Sequence, residues 1–222
     1  DGSVAVSGEL YINAHVTASN VAVWSGTLHI QNAVDAGSMD VQYAAIDQST
    51  GDVQTGNLTI MNGSYHLAGP GNLSADEVDL FGTFTHDAGT HVANTLRIGG
   101  DNYGYMASGT YTISGGRLEV VDMFVGEAGV DDPFPTPDVP GTFEITDALA
   151  EVYVAGSLVL SPEATLNLVP GATIHMTGST FENLSQNEIG LADLADLEFI
   201  FEGGAGVTDT FEVASAPGGG WV

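Results

Sequence analysis

The chain has 222 residues, of which 29 are Asp or Glu and only two, Arg97 and Arg117, are basic, for a formal net charge of −27. Nucleic acids and anionic membranes attract proteins through Lys and Arg, so this charge argues against both as partners. The 43% hydrophobic share supports a folded core, and the absence of Cys excludes disulfides and thiolate metal sites. No apolar run is long enough to cross a bilayer.

A short repeat begins near the start of the chain and recurs along it. Each copy is a glycine, a polar residue, and then alternating apolar and polar residues, which is typical of a short strand that begins at a turn. The copies are 8–12, 26–30, 56–60, 82–86, 109–113 and 141–145. Asn62-Gly63 is the one Asn-Gly dipeptide of the sequence, so tight antiparallel hairpins are not favoured.

A longer unit of 18 residues is visible in the middle of the chain. Residues 82–99 align without a gap with residues 109–126, at an offset of 27. A third copy starts at Gly141, at an offset of 32, and needs about two additional residues. Such a unit buries its apolar side only by stacking on its neighbours. We therefore predict an all-β fold, a right-handed parallel β-helix (β-solenoid), over a sandwich, a barrel or a propeller.

The predicted organisation has two parts. Residues 1–170 form the solenoid coils, interrupted by an external Pro-rich loop at 131–140, because four prolines in ten residues cannot pair within a central sheet. Residues 171–222 form further coils, a short helix, terminal strands and a Gly-rich tail.

The short helix is predicted at about 186–196 and would cap the end of the solenoid. Ser185 and Glu188 have the spacing of a capping box, in which each side chain binds a free backbone N–H of the first turn. Residues 197–201 and 210–213 are predicted strands. The chain begins at Asp1 without Met, from which we expect either a removed leader or a piece of a longer protein.

Two segments resemble known exported proteins. The stretch GTYTISGGRLEVVDMFVGEAG, from Gly109, resembles repeats of bacterial autotransporter-associated β-helix proteins. The run from Leu158 to Val213 is similar to the C-terminal part of planctomycete-type surface proteins with a PEP-CTERM sorting tail, although the tail itself is absent. The resemblance implies a bacterial protein of the cell surface or extracellular space, and it implies no catalytic residues.

Calcium is the cofactor that the acidic composition favours, because Ca²⁺ prefers carboxylate and carbonyl oxygens. The predicted ligands lie in two turn regions, and Asp35 with Asp40 is a further candidate pair. The ligands are Asp101, Asn102, Asp131, Asp132 and Asp138. None of these segments matches an EF-hand or a calcium β-roll repeat.

The sequence predicts no catalytic residue. A polyanion-cleaving lyase needs basic groups that this chain lacks, whereas a glycoside hydrolase needs only two carboxylates at a set separation. The carboxylates to consider for a hydrolase are Asp76, Glu77 and Asp79, or Asp87 with Asp101. The six histidines are scattered through the sequence and form no metal-binding motif.

The leading functional expectation is a non-enzymatic structural role. Unpaired strands at a solenoid end would add further copies of the same chain head to tail, which builds a filament, sheath or surface layer. The predicted assembly edge is Ser3, Val4, Ala5 and Val6. The alternative is an adhesin or module that binds a surface glycan, and its candidate sugar-stacking aromatics are Trp24, Tyr103, Tyr105 and Phe134.

Overall fold

The computed structural model describes residues 2–102, 105–126, 139–177, 180–183 and 198–201. These residues contain eighteen β-strands and no helix. The strands are β1 (Ser3–Ile12), β2 (Val16–Ile30), β3 (Val34–Gln42), β4 (Ala44–Gln48), β5 (Val53–Leu67), β6 (Asn72–His86), β7 (Thr90–Ile98), β8 (Gly100–Asn102), β9 (Tyr105–Ala107), β10 (Gly109–Ile113), β11 (Arg117–Val125), β12 (Gly141–Ile145), β13 (Glu151–Val154), β14 (Ser157–Leu160), β15 (Ala164–Leu168), β16 (Thr173–Met176), β17 (Thr180–Asn183) and β18 (Glu198–Phe201).

Sixteen of these strands form one sheet that winds as a β-solenoid of about eight turns. The pairs along the stack are parallel, from β1 with β2 through to β16 with β18. Among the described strands, the short hairpin of β8 and β9 alone is antiparallel. Parallel neighbours in a sheet lie about 4.8 Å apart, so each coil buries its apolar side against the next. The predicted parallel β-solenoid is confirmed.

The sequence repeat is also the register of the stack. Phe84 pairs with Tyr111 at the predicted offset of 27 residues. Tyr111 pairs in turn with Phe143 at the predicted offset of 32. Leu118 pairs with Val152, and their offset of 34 contains the two additional residues expected in the third copy. Those two residues lie in the turn before β13, where a longer connection leaves the strand register unchanged.

Each coil has three sides separated by three corners, as the coil of β3 and β4 shows. The first side is 34–36, the first corner is Gly37, and the second side is 38–41. The second corner is 42–43, which is followed by the third side, 44–48. The third corner is the turn that leads into β5. We use the names first, second and third corner for these positions in every coil.

Aromatic rings fill the centre of the solenoid beneath the third side. Tyr65, Phe84, Tyr111 and Phe143 are fully buried and stack in consecutive coils, with ring centroids 5.0, 4.7 and 5.6 Å apart. Offset aromatic pairs contribute about 0.5–1.5 kcal/mol each beyond the area that they bury. The stack therefore ties the register of four successive coils together.

Several strands are longer than the five-residue copies of the short repeat. β2, β5 and β6 each run for 15 residues and pass through glycines that were predicted to begin new strands. Gly26 shows the reason, since it adopts φ 85° within β2 without ending the parallel pairing. A Cβ atom at Gly26 would lie 2.1 Å from the carbonyl oxygen of Gly8 in the coil below, so only glycine bends the strand there.

The first strand is an edge of the sheet. Ser3, Val4, Ala5 and Val6 lie on β1, which pairs with β2 and with no other described strand. Because Ser3 aligns with Asn20, β1 covers only the second and third sides of the coil above it.

The stack continues beyond residue 170. β16 pairs with β13, β17 pairs with β14, and β18 pairs with β16, all in parallel. The strand predicted at 197–201 is observed as β18. The predicted helix at 186–196 and the predicted strand at 210–213 lie outside the described residues. The described part of the chain contains no helix of the length and apolar character that a membrane span requires.

Candidate functional site

Of the predicted metal ligands and sugar-stacking aromatics, those that the structure describes lie at the second corner or in the hairpin inserted there. They are Trp24, Asp101, Asn102 and Tyr105. Trp24 lies at this corner in β2, between Val23 and Gly26, which pair with the coil above. The hairpin of β8 and β9 is inserted at the same corner, between Ile98 and Gly109. The chain also leaves the stack at this corner after Val125 and re-enters it at Gly141. Both connections therefore begin and end on one longitudinal edge of the solenoid.

The bases of the two insertions pack tightly on each other. Gly126 donates its N–H to the carbonyl of Ile98, at 2.8 Å, and Gly109 donates its N–H to the carbonyl of Pro140, at 3.4 Å. A Cβ atom at Gly141 would lie 2.1 Å from the backbone nitrogen of Gly126. Glycine at these positions allows the two insertions to leave and re-enter the stack side by side.

The structure describes two of the five predicted calcium ligands. Asp101 and Asn102 lie on β8, and their backbone pairs with β9. Asp131, Asp132 and Asp138 lie outside the described residues. The described residues contain no group of three or more His, Cys, Asp or Glu side chains arranged to hold a metal ion.

The further candidate pair, Asp35 with Asp40, is separated by the first corner. Asp35 contacts the Nε2 atom of His15 at 2.7 Å, on the first side of the coil. Asp40 accepts a hydrogen bond of 2.8 Å from the amide of Asn20, on the second side. Each carboxylate is therefore held by a different neighbour, and the two do not converge on one site.

The structure describes two of the four candidate sugar-stacking aromatics. Trp24 is described, and 54% of its surface is exposed. Tyr105 lies on β9, where its backbone pairs with Asn102. Tyr103 and Phe134 lie outside the described residues. No sequence pattern pointed to Tyr43, which lies at the second corner on the coil next to Trp24 and is 72% exposed.

The backbone at Tyr43 is strained. Tyr43 and Asn62 occupy equivalent positions in successive coils and have φ angles of 51°, in the left-handed region. Asn tolerates this region because its short side chain binds nearby backbone, whereas other non-glycine residues are destabilised there by roughly 1–2 kcal/mol.

A shallow cleft runs along the first corner and crosses four coils. Its volume is about 370 Å³. Small residues form the floor of the cleft. Gly37 and Gly56 stack there, and a Cβ atom would lie 2.6 Å and 2.7 Å, respectively, from a carbonyl oxygen of the coil below. The polar rim is Thr17, Asp35, Gln54, Ser74 and Asp76. The cleft is polar and open along the solenoid axis, and it contains no aromatic residue.

The carboxylates suggested for a glycoside hydrolase are engaged by neighbouring polar side chains. Glu77 and Asp79 both pair with Arg97, the latter at 3.1 Å. Asp76 accepts a hydrogen bond from Asn94 at 3.2 Å. Glu77 and Asp79 therefore share one guanidinium group, whereas Asp76 is bonded to a different side chain.

Asp87 is also held in its ionised form. The hydroxyl of Ser114, at 2.6 Å, and the ring of His66, at 2.8 Å, bind its carboxylate. These hydrogen bonds lower the pKa of Asp87 below its usual value. A general acid of a glycosidase needs a raised pKa, so the shift at Asp87 is in the wrong direction for that role.

Two of the histidines that are scattered in the sequence meet in the core. His86 and His91 are both fully buried, and each places its Nδ1 atom within hydrogen-bonding distance of the Tyr111 hydroxyl, at 3.0 and 2.9 Å. The Nε2 atom of His86 lies 3.3 Å from the carbonyl of Gly89, to which it donates. Loss of solvent lowers the pKa of His86 to about 4 and that of His91 to about 3.

A second set of histidines alternates with carboxylates on the third side. His29 contacts Asp47 at 3.3 Å, and Asp47 contacts His66 at 3.4 Å. His66 reaches Asp87 at 2.8 Å, and Glu9 lies 3.6 Å from His29 at the other end. This column crosses five coils at the surface, so it links successive coils through side chains as well as through the backbone.

No family model, no curated protein and no solved structure matches this chain. The resemblance to exported β-helix repeats therefore stays a prediction, and the function has to be argued from the molecule itself.

Proposed function

We propose that this chain is a structural subunit that assembles end to end into an extracellular filament, sheath or surface layer of a bacterium. The observation that carries the proposal is the open edge of β1. This strand has ten residues, pairs with β2 and with no other described strand, and contains a single charged residue, Glu9. Natural edge strands are usually blocked by Lys, Pro or a covering segment, and β1 has neither Lys nor Pro.

The direction of the open backbone groups follows from one hydrogen bond. The carbonyl of Gly2 accepts a hydrogen bond from the N–H of Ser19, at 3.0 Å, so the backbone groups of Gly2 point toward β2. Backbone groups of alternate residues in a strand point to opposite edges. Those of Ser3 and Ala5 therefore point away from β2, toward an incoming strand.

Charge favours growth at the ends over contact between the sides. No Asp or Glu is among the buried residues of the described chain, and the whole chain has a formal net charge of −27. Two such surfaces repel each other side by side, whereas the edge of β1 offers backbone hydrogen bonds and the partly exposed Leu10 and Tyr11. A second copy of the chain that places its last strand against β1 continues the same parallel stack.

Electron microscopy of the purified chain tests this proposal. The wild-type chain is expected to form filaments whose width is that of one solenoid. Ala5→Pro removes an outward N–H without removing a bond to β2, so it is expected to leave single particles of normal circular dichroism. Ala5→Val keeps the N–H and is expected to assemble like the wild type. Single particles from the wild type, or filaments from Ala5→Pro, would contradict the proposal.

A further inference from the structure

The second corner has two exposed aromatic side chains, in contrast to the rings of the central stack. Trp24 is 54% exposed and Tyr43 is 72% exposed, whereas Tyr65, Phe84 and Tyr111 are fully buried. Trp24 aligns with Gln42, one residue before Tyr43 on the adjacent coil. The two rings therefore lie on neighbouring coils along the same edge.

The conformation of Tyr43 indicates a role for its side chain other than folding. Its φ of 51° is better accommodated by Gly or Asn, and the next coil has Asn62 at the equivalent position with the same φ. Gly99 and Gly126, with φ of 73° and 70°, begin the insertions at this corner. A strained residue whose exposed side chain adds little to the core is typical of a functional position.

The two rings stand apart from any continuous apolar surface. The position of Trp24 is taken by the polar Gln42 in the next coil, and then by Met61 and Phe81. Phe81 is buried, as is Val139 shortly before β12. Trp24 and Tyr43 are therefore separate exposed rings along this edge.

Hydrogen-bonding groups flank these rings on both sides. Asn20, Ser38 and Asp40 on the second side are joined by hydrogen bonds of 2.8 Å, which fix their positions. Thr27 and Ser64 lie on the third side, immediately after the corner. Single rings surrounded by hydroxyl, amide and carboxylate groups differ from the contiguous apolar patch expected where a protein partner binds.

The geometry points to the second corner as a binding site for a neutral polysaccharide, with the chain of sugars running along the solenoid axis. Trp24 and Tyr43 would stack on sugar rings from successive coils, while the fixed amide and carboxylate groups bind sugar hydroxyls. The net charge of −27 repels uronates and other polyanions, which leaves neutral glycans. Insertions in repeat proteins tend to lie on the binding face, and both long insertions of this solenoid leave from this corner. This site is separate from the edge of β1 and does not depend on assembly.

Affinity electrophoresis tests this inference with native gels that contain hydroxyethylcellulose, xylan or galactomannan, and with polygalacturonate as the anionic comparison. The wild-type chain is expected to be retarded by at least one neutral polysaccharide and not by polygalacturonate. Trp24→Ala and Tyr43→Asn are each expected to lower the affinity for that polysaccharide, as measured by the retardation, about tenfold. Tyr43→Phe keeps the ring and is expected to bind like the wild type.

Tyr11→Ala is the matched control, since Tyr11 is 51% exposed but lies on the third side, where it stacks on His29. It is expected to leave binding unchanged. Circular dichroism confirms that each variant is folded. The inference is overturned if none of the neutral polysaccharides retards the wild type, if polygalacturonate retards it equally, or if Tyr43→Asn and Trp24→Ala bind like the wild type.

Discussion

The Nδ1 atom of His91 lies 2.9 Å from the hydroxyl oxygen of Tyr111, and both residues are fully buried. His86 Nε2 donates to a backbone carbonyl, so its Nδ1 is the acceptor of the Tyr111 hydroxyl proton. The Tyr111 oxygen must then accept from His91 Nδ1–H. This assignment leaves the Nε2 atom of His91 as a buried lone pair without a hydrogen-bond partner. The whole arrangement requires both imidazoles to be neutral.

Acid is therefore expected to destabilise the fold through this cluster. The folded-state pKa values, about 4 for His86 and about 3 for His91, lie below the usual value of 6.5. The unfolded chain binds more protons in this range, so stability falls as the pH drops from about 6.5 toward 3 and is unaffected by these groups above 6.5. Each unit of pKa lowering corresponds to about 1.4 kcal/mol. Urea unfolding at pH 7.5, 6, 5 and 4 measures this loss.

A triple variant provides the control for the acid prediction. His91 lies in register between Leu73 and Leu118, and His86 between Leu67 and Ile113, so leucine fits both positions. His86→Leu, His91→Leu and Tyr111→Phe together remove every member of the polar cluster and leave none unpaired. Its stability is expected to depend much less on pH between 6.5 and 4. If the free energy of unfolding of this variant falls with pH as steeply as that of the wild type, groups other than this cluster cause the acid sensitivity.

Relief of backbone strain at the second corner is expected to raise stability. Tyr43→Asn replaces a strained residue with the type that occupies the equivalent position in the next coil, Asn62. We expect the free energy of unfolding in urea to increase by about 1 kcal/mol. Ser25→Asn, at the aligned position in the preceding coil, has no such strain to relieve and is expected to change stability by less than about 0.5 kcal/mol. A loss of stability in Tyr43→Asn would show that the ring contributes to folding.

The stacking of coils could be predicted from the sequence because the glycine positions and the strand periodicity recur together. The gapless alignment at an offset of 27 already placed Phe84 on Tyr111, and it also placed His86 on Ile113 and His91 on Leu118. That comparison contained the evidence that both histidines are buried, but a histidine in a polar-rich segment is ordinarily taken as exposed.

The second corner was less accessible to sequence reasoning. Gln42-Tyr43-Ala44 contains no turn residue, so the positive φ of Tyr43 arises from the coil geometry and not from local preference. The length of β2, β5 and β6 was underestimated for a related reason. The glycine of each repeat predicts the start of a new strand, whereas stacking on the coil below keeps the strand paired through Gly26.

Gly26 also allows a direct test of coil-on-coil packing. Gly26→Ala places a methyl group against the carbonyl of Gly8, 2.1 Å away, at a φ of 85° that alanine tolerates poorly. We expect a loss of about 2–4 kcal/mol in the free energy of unfolding, from backbone strain and overpacking together. Gly2→Ala, which has no atom within 4 Å of the added carbon, is expected to have little effect. Equal stability of the two variants would contradict the tight stacking described for β1 and β2.

Ionic strength is expected to control assembly, because the sides of the solenoid are acidic and the edge of β1 is almost uncharged. The screening length shortens from about 30 Å at 0.01 M salt to about 8 Å at 0.15 M. Two chains with a formal net charge of −27 therefore repel each other much less at the higher concentration. Light scattering of the wild type is expected to show faster growth at 0.15 M NaCl than at 0.01 M.

Ala5→Pro separates screening from nonspecific aggregation in this experiment. Screening lowers the repulsion between side surfaces in both proteins, but only the wild type retains the outward N–H of Ala5 for an incoming strand. Scattering from Ala5→Pro is therefore expected to stay at the level of single chains at both salt concentrations. Equal growth of the two proteins at 0.15 M NaCl would mean that salt drives contact between the acidic sides, and end-on stacking at β1 would then not be the mode of assembly.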